Sequence, residues 1–73
     1  MFYNIIMNFG KILKKLRQEK NITQLQLAQK LNLTDTAVRL WETKGQEPSY
    51  TTLCKLADIF DVSLDELLGR KDF

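Results

Sequence analysis

Residues 23–43, TQLQLAQKLNLTDTAVRLWET, decide how this chain is read. Thr23 followed three residues later by Gln26 has the form of a capping box. Ile22 and Leu27 stand at the positions of a hydrophobic staple across it, so a helix is predicted to start at Gln24. Leu27, Ala28 and Leu31 form its buried face, with Leu25 as an additional apolar candidate. Asn32 tolerates a left-handed backbone and ends that helix. After apolar Leu33, Thr34 caps a new helix whose first residue, Asp35, suits the positive end of the helix dipole. Ala37, Val38 and Trp41 point inward from it, leaving Asp35, Thr36, Arg39, Leu40 and Thr43 on the outer side. The pattern is two short helices separated by about three residues.

Working outward, Phe9, Ile12, Leu13 and Leu16 follow the i, i+3, i+4, i+7 spacing of an apolar helix stripe, with Asn8 as its N-cap and Asn21 as a left-handed stop. Lys11, Lys14, Lys15 and Gln18 occupy the opposite face. Beyond the central pair, a loop containing Gly45 and Pro48 leads to Ser49, the cap of a fourth helix with the stripe Leu53, Leu56, Ala57 and Phe60, ended by Asp61. Ser63 with Glu66 forms a second capping box, and Val62 with Leu67 a second staple. A fifth helix carrying Leu64, Leu67 and Leu68 stops at Gly69. Sustained alternation of the strand type is absent, apart from a short stretch from Tyr3 to Met7 that reads as extended.

The 73 residues and 8.6 kDa allow one domain, with a core just large enough to fold without staples. The organisation read from the sequence is an apolar N-terminal extension (1–7), a domain (8–69) and a short tail (70–73). The single cysteine, Cys54, can form no internal disulfide, and without histidine there is no Cys/His metal site. Its place beside the fourth helix's stripe makes it a small buried hydrophobe, with redox sensing as the lesser reading. No catalytic residue, cofactor site or metal site is expected, because the chain has no nucleophile–base pair and no glycine-rich phosphate loop. No run is long enough to span a bilayer and no cleavable leader is evident, so a cytoplasmic protein is expected.

The net charge of +2 says little, but its distribution is uneven. Residues 1–44 carry eight bases against three acids, and residues 45–73 carry three bases against six acids. Such polarity lets one portion face phosphates while the other faces away; solvated charge on helix faces is the plainer alternative.

With Leu-Arg at 16–17, Thr-Gln at 23–24, Ala-Val-Arg-Leu-Trp-Glu at 37–42, Glu-Pro-Ser at 47–49 and Val-Ser-Leu-Asp-Glu-Leu-Leu-Gly at 62–69, the chain resembles the lambda-repressor and Cro family of helix-turn-helix DNA-binding domains. The resemblance extends from about Phe9 to Gly69. It implies a compact, all-α, five-helix fold in which the second and third helices form the helix-turn-helix, with the third lying in the DNA major groove.

Carried over position by position, Asp35, Thr36, Arg39 and Leu40 become the base-reading residues. Arg39 can bond bidentately to guanine, and Thr36 can meet a base or a phosphate. Leu40 is apolar where relatives usually carry a polar residue, and two readings stand open: contact with a thymine methyl, or packing against a neighbouring loop. Asp35 can accept from cytosine, but stabilising the helix start is the favoured role because a carboxylate is repelled by phosphates. Gln24, Thr34, Thr43, Lys44, Gly45 and Gln46 are the phosphate-binding candidates. In relatives the position of Gln24 braces a phosphate and the reading residues together. The order Lys44–Gly45 departs from the relatives' usual glycine first and basic residue second. Arg17 and Glu42 match a structural ion pair joining the first and third helices. Trp41 is read as a core aromatic.

The resemblance further implies a transcriptional regulator, most simply a repressor from a phage or mobile element, that binds a palindromic operator in double-stranded DNA as a homodimer. Val62, Leu64 and Leu68 are candidates for the dimer interface. No small-molecule effector site is evident. The extension, with Phe2, Tyr3, Ile5, Ile6 and Met7, is expected to pack on its own domain or a partner if native, Met7 being an alternative start. An antitoxin that also binds a toxin, and a protein-interaction module on the same fold, are the competing readings.

Overall fold

A computed structural model of the chain describes the backbone of residues 2–70 and the side chains of residues 9–70. It contains five helices: α1 (Phe2–Glu19), α2 (Gln24–Leu31), α3 (Asp35–Thr43), α4 (Tyr50–Phe60) and α5 (Leu64–Leu67). No strand occurs among the described residues.

The helix boundaries follow from local chemistry. Thr23 accepts from the Gln26 N–H while the Gln26 side chain accepts from the Thr23 N–H, and Ser63 and Glu66 repeat the arrangement at α5. Thr34 and Ser49 cap α3 and α4 through single bonds to the Ala37 and Thr52 N–H groups. Asn21, Asn32 and Asp61 all take left-handed backbone angles. In each case the next residue's N–H returns to a carbonyl five positions earlier, in Arg17, Ala28 and Ala57 respectively. Small polar side chains tolerate this conformation, which explains why these residues end helices without glycine.

Three sequence expectations change. The backbone of α1 is helical from Phe2, so Asn8 lies within the helix rather than capping it, and positions 3–7 are not extended. Phe2, Ile5 and Phe9 share the helical period of Leu13 and Leu16, and a lone Asn is a weaker signal than a continuing period. The packing expected of the extension's side chains, and tail residues 71–73, lie outside the described residues. Leu25 is 53% exposed rather than part of the α2 core face, being roughly 200° around the helix from Leu27. Cys54 is only half-buried, and its neighbour Tyr50, one turn earlier and exposed, has its phenol pushed above the ordinary value by hydrogen bonding to the thiol.

Every helix contributes to one core: Phe9 and Leu13 from α1; Leu27, Ala28 and Leu31 from α2; Val38 and Trp41 from α3; Leu56, Ala57 and Phe60 from α4; and Leu67 from α5. Helix α1 packs against both α3 and α5, linking the two halves. At Gly10 the approach of α1 to α3 is so close that a Cβ would stand 2.6 Å from the Trp41 carbonyl oxygen. Ordinary side chains are excluded there. Among the described residues no helix is long and apolar enough to cross a membrane, and no cluster of three His, Cys, Asp or Glu residues could hold a metal ion.

Candidate nucleic-acid interface

The interface candidates lie on the α2–turn–α3 unit, and the core determines which way α3 faces. Val38 and Trp41 are buried, so the outward arc of α3 carries Asp35, Thr36 and Arg39, all exposed, with half-buried Leu40 beside them. Asp35, Thr36 and Arg39 have no side-chain hydrogen bond or ion pair among the described residues, which leaves their polar groups available to an outside partner. Asp35 is the acidic first residue of α3, where a carboxylate interacts favourably with the helix dipole.

The far end of α3 is held by Glu42, whose side chain is 1% exposed. Its carboxylate accepts two bonds from Arg17: Nε to Oε2 at 2.8 Å and Nη2 to Oε1 at 2.9 Å. The third arm of the guanidinium, Nη1, donates to the Ile22 carbonyl at 2.9 Å. Hydrogen bonding to Glu42 raises the Arg17 pKa further above its ordinary value, opposing the lowering effect of burial. A fork-to-fork pair whose third nitrogen is also bonded is the geometry in which a shielded ion pair fixes orientation. The sequence resemblance anticipated the pair but not its extension: Gln24 Nε2 also donates to Glu42 Oε1, at 3.1 Å. Gln24 therefore turns toward Glu42 rather than toward the residues at the start of α3. Neither Gln24 nor Glu42 announces this contact in the sequence, because it depends on how α2 and α3 cross. Gly10 was also passed over, although a glycine inside a helical stripe is itself a sign of close backbone approach.

The loop after α3 resolves the unusual Lys44–Gly45 order. Lys44 ends the helix with ordinary backbone angles and Gly45 takes the left-handed ones, at φ +70°. No atom lies within 4 Å of a Cβ added at Gly45, so backbone conformation alone favours glycine there. The Lys44 and Gln46 N–H groups both return to the Leu40 carbonyl. Thr43 donates its hydroxyl to the Arg39 carbonyl at 2.7 Å. The outward donors of this loop are thus the Gly45 N–H and the exposed side chains of Lys44 and Gln46. Thr34, at the other end of α3, uses its oxygen to cap and keeps its hydroxyl proton for a further acceptor.

Around this surface, Lys11, Lys14, Lys15, Lys20, Lys30, Arg39 and Lys44 are exposed and free of ion pairs among the described residues. Residues 13–67 match the family model described as helix-turn-helix. The chain belongs to the helix-turn-helix family.

Its fold is the lambda-repressor-like, all-α arrangement. The domain is 45% identical over 60 residues to the HTH-type transcriptional regulator YqaE of Bacillus subtilis, a match covering 82% of this chain and 52% of the relative. It is 38% identical over 66 residues to the HTH-type transcriptional regulator ImmR of the same organism, covering 90% and 52%. The cryptic phage CTXphi transcriptional repressor RstR of Vibrio cholerae is 35% identical over 54 residues, covering 74% and 48%. The chain thus spans about half the length of these curated relatives. Family membership points to DNA binding rather than catalysis.

Proposed function

We propose that the chain is a sequence-specific transcriptional regulator of double-stranded DNA, a repressor that places α3 in the major groove and binds a palindromic operator as a homodimer. The carrying observation is the combination at α3: its C-terminal end is clamped by Arg17 and Glu42, while Asp35, Thr36 and Arg39 project outward without internal partners. A reading helix needs both properties, a fixed angle to the body and uncommitted polar groups. Arg39 reads a base, Thr36 a base or phosphate, and Leu40 offers an apolar edge to a thymine methyl. Asp35 chiefly stabilises the helix start. Thr34, Lys44, Gly45 and Gln46 supply phosphate contacts. Thr43, whose proton is committed to Arg39, supplies one only after its hydroxyl rotates.

The names of ImmR and RstR, a transcriptional regulator and a phage repressor, support a regulatory role and a phage or mobile-element setting. Dimerisation through Val62, Leu64 and Leu68 is part of the proposal. All three are half-buried against the core and so retain some outward apolar surface.

Selection of bound sequences from random duplex DNA, followed by titration across salt concentrations, tests this reading. Affinity should fall steeply with salt, each displaced phosphate counterion contributing about 0.9 to the logarithmic slope. Arg39→Ala should relax preference at one base pair per half-site, with a loss of about 1–3 kcal/mol there. Lys44→Ala should weaken all sequences alike. Equal loss across sequences for Arg39→Ala would remove its reading role.

A further inference from the structure

Glu42 holds Gln24 as well as Arg17, and the chemistry of that contact is directional. An ionised carboxylate only accepts hydrogen bonds, whereas a glutamine amide presents a donating NH2 on one side and an accepting oxygen on the other. The 3.1 Å contact between Gln24 Nε2 and Glu42 Oε1 therefore determines which way round the amide sits, because the flipped amide would set its oxygen against the carboxylate. The carboxylate is itself immobilised by two bonds from Arg17 and is nearly inaccessible to water, so Gln24 meets a rigid acceptor. Gln24 is the first residue of α2, just after the Thr23 cap, where the dipole favours an anion. One Nε2 hydrogen is committed to Glu42, and the second has no partner among the described residues.

We propose that Glu42 is a positioning residue for DNA binding: it fixes the polarity of the Gln24 amide so that the second N–H faces a DNA phosphate at the start of α2. The proposal rests on the DNA-binding reading above. It gives Glu42 two tasks, setting the angle of α3 through Arg17 and presenting a correctly oriented donor on α2. A phosphate accepts and never donates, so an amide free to flip would spend part of its time offering the wrong atom.

The test combines a DNA-free measurement with a binding cycle on the full chain and its selected operator. In the NMR spectrum of the free protein, one of the two Gln24 side-chain amide protons should exchange with solvent more slowly than those of an exposed glutamine such as Gln29. Glu42→Asp, which retains charge for Arg17 but withdraws the oxygen from Gln24, should remove that protection. Circular dichroism would establish that the variant folds. Gln24→Met should weaken operator binding about tenfold, the loss of one hydrogen bond to a charged group. In the Glu42→Asp background, where the amide presents its donor in about half of its orientations, the same change should cost only about fivefold. Gln24→Lys, whose ammonium donates to both acceptors without any orientation to choose, should restore binding in either background.

Gln24 amide protons that both exchange as fast as those of an exposed glutamine in the unaltered protein would overturn the positioning role. So would an equal loss for Gln24→Met in both backgrounds. Either result with steep, salt-sensitive binding intact rejects this role alone, whereas absence of salt-sensitive binding by the unaltered chain rejects the DNA reading together with it.

Discussion

The α1–α3 half of the molecule and the α4–α5 half are held by different kinds of contact. In the first, a shielded carboxylate gathers bonds from α1 and α2 onto the end of α3, and two backbones approach closely at Gly10. In the second, Leu56, Ala57, Phe60 and Leu67 fill the core beneath a capping box, and the charge is mostly acidic. Apolar burial is non-directional and fixes proximity, whereas a bidentate ion pair fixes an angle. The directional contacts stand where a helix has to be presented to an outside partner. The non-directional ones stand where helices close the core and where, in the proposed dimer, Val62, Leu64 and Leu68 meet a second copy.

The largest expected effect sets one half against the other. Arg17→Met leaves Glu42 shielded from water without its cation and should cost about 3–5 kcal/mol of stability. That is a large share of the roughly 4–11 kcal/mol available to a chain of this size. Leu56→Ala, a cavity in the other half, should cost a comparable amount, about 2–5 kcal/mol. Chemical denaturation measures both. DNA affinity corrected for the folded fraction should fall for Arg17→Met and stay constant for Leu56→Ala, and equal corrected affinities would erase the distinction between the halves.

A smaller effect is expected from Gly10→Ala. The new Cβ would meet the Trp41 carbonyl, which is backbone and cannot rotate away. The overlap should cost about 1–3 kcal/mol. A glycine-to-alanine change in an unconstrained helix instead gains about 0.5–1 kcal/mol, so a raised melting temperature would show that the two helices can part without penalty.

Smallest are the caps. Thr23→Ala and Ser63→Ala should each cost about 1 kcal/mol, since the two boxes make the same pair of bonds. Thr23→Ala should also lower the DNA affinity of each half-site, because Gln24 follows it directly, whereas Ser63→Ala should lower affinity only through dimerisation at Leu64 and Leu68. A loss for Ser63→Ala at protein concentrations where the dimer is fully formed would place α5 in the DNA-binding surface itself.

Features set by neighbours in sequence were legible without a structure. The caps at Thr23, Thr34, Ser49 and Ser63 and the helix ends at Asn21, Asn32 and Asp61, the first two read as left-handed, depend on side chains or backbone groups meeting backbone a few residues away. The stripes that build the core are periodic and equally readable. The N-terminal limit of α1 was misread because Asn8 offered a local cap where the apolar period simply continued. The candidate site divides the same way. The outward arc of α3 follows from which residues turn inward, whereas the engagement of Thr43 and the loop N–H groups depends on rotamers and hydrogen bonds that no spacing encodes.

By itself, then, the sequence determined five helices, four of them with their caps, one apolar core, a basic first portion and an α3 whose outer face carries Asp35, Thr36 and Arg39. All of these rest on interactions within one or two helical turns or on charge order along the chain. The tertiary structure alone decided that Gln24 turns to Glu42, that Arg17 also reaches the Ile22 carbonyl, and that Gly10 stands against Trp41. Those contacts join residues on different elements, and their distances come into being only when the helices cross at a particular angle and depth.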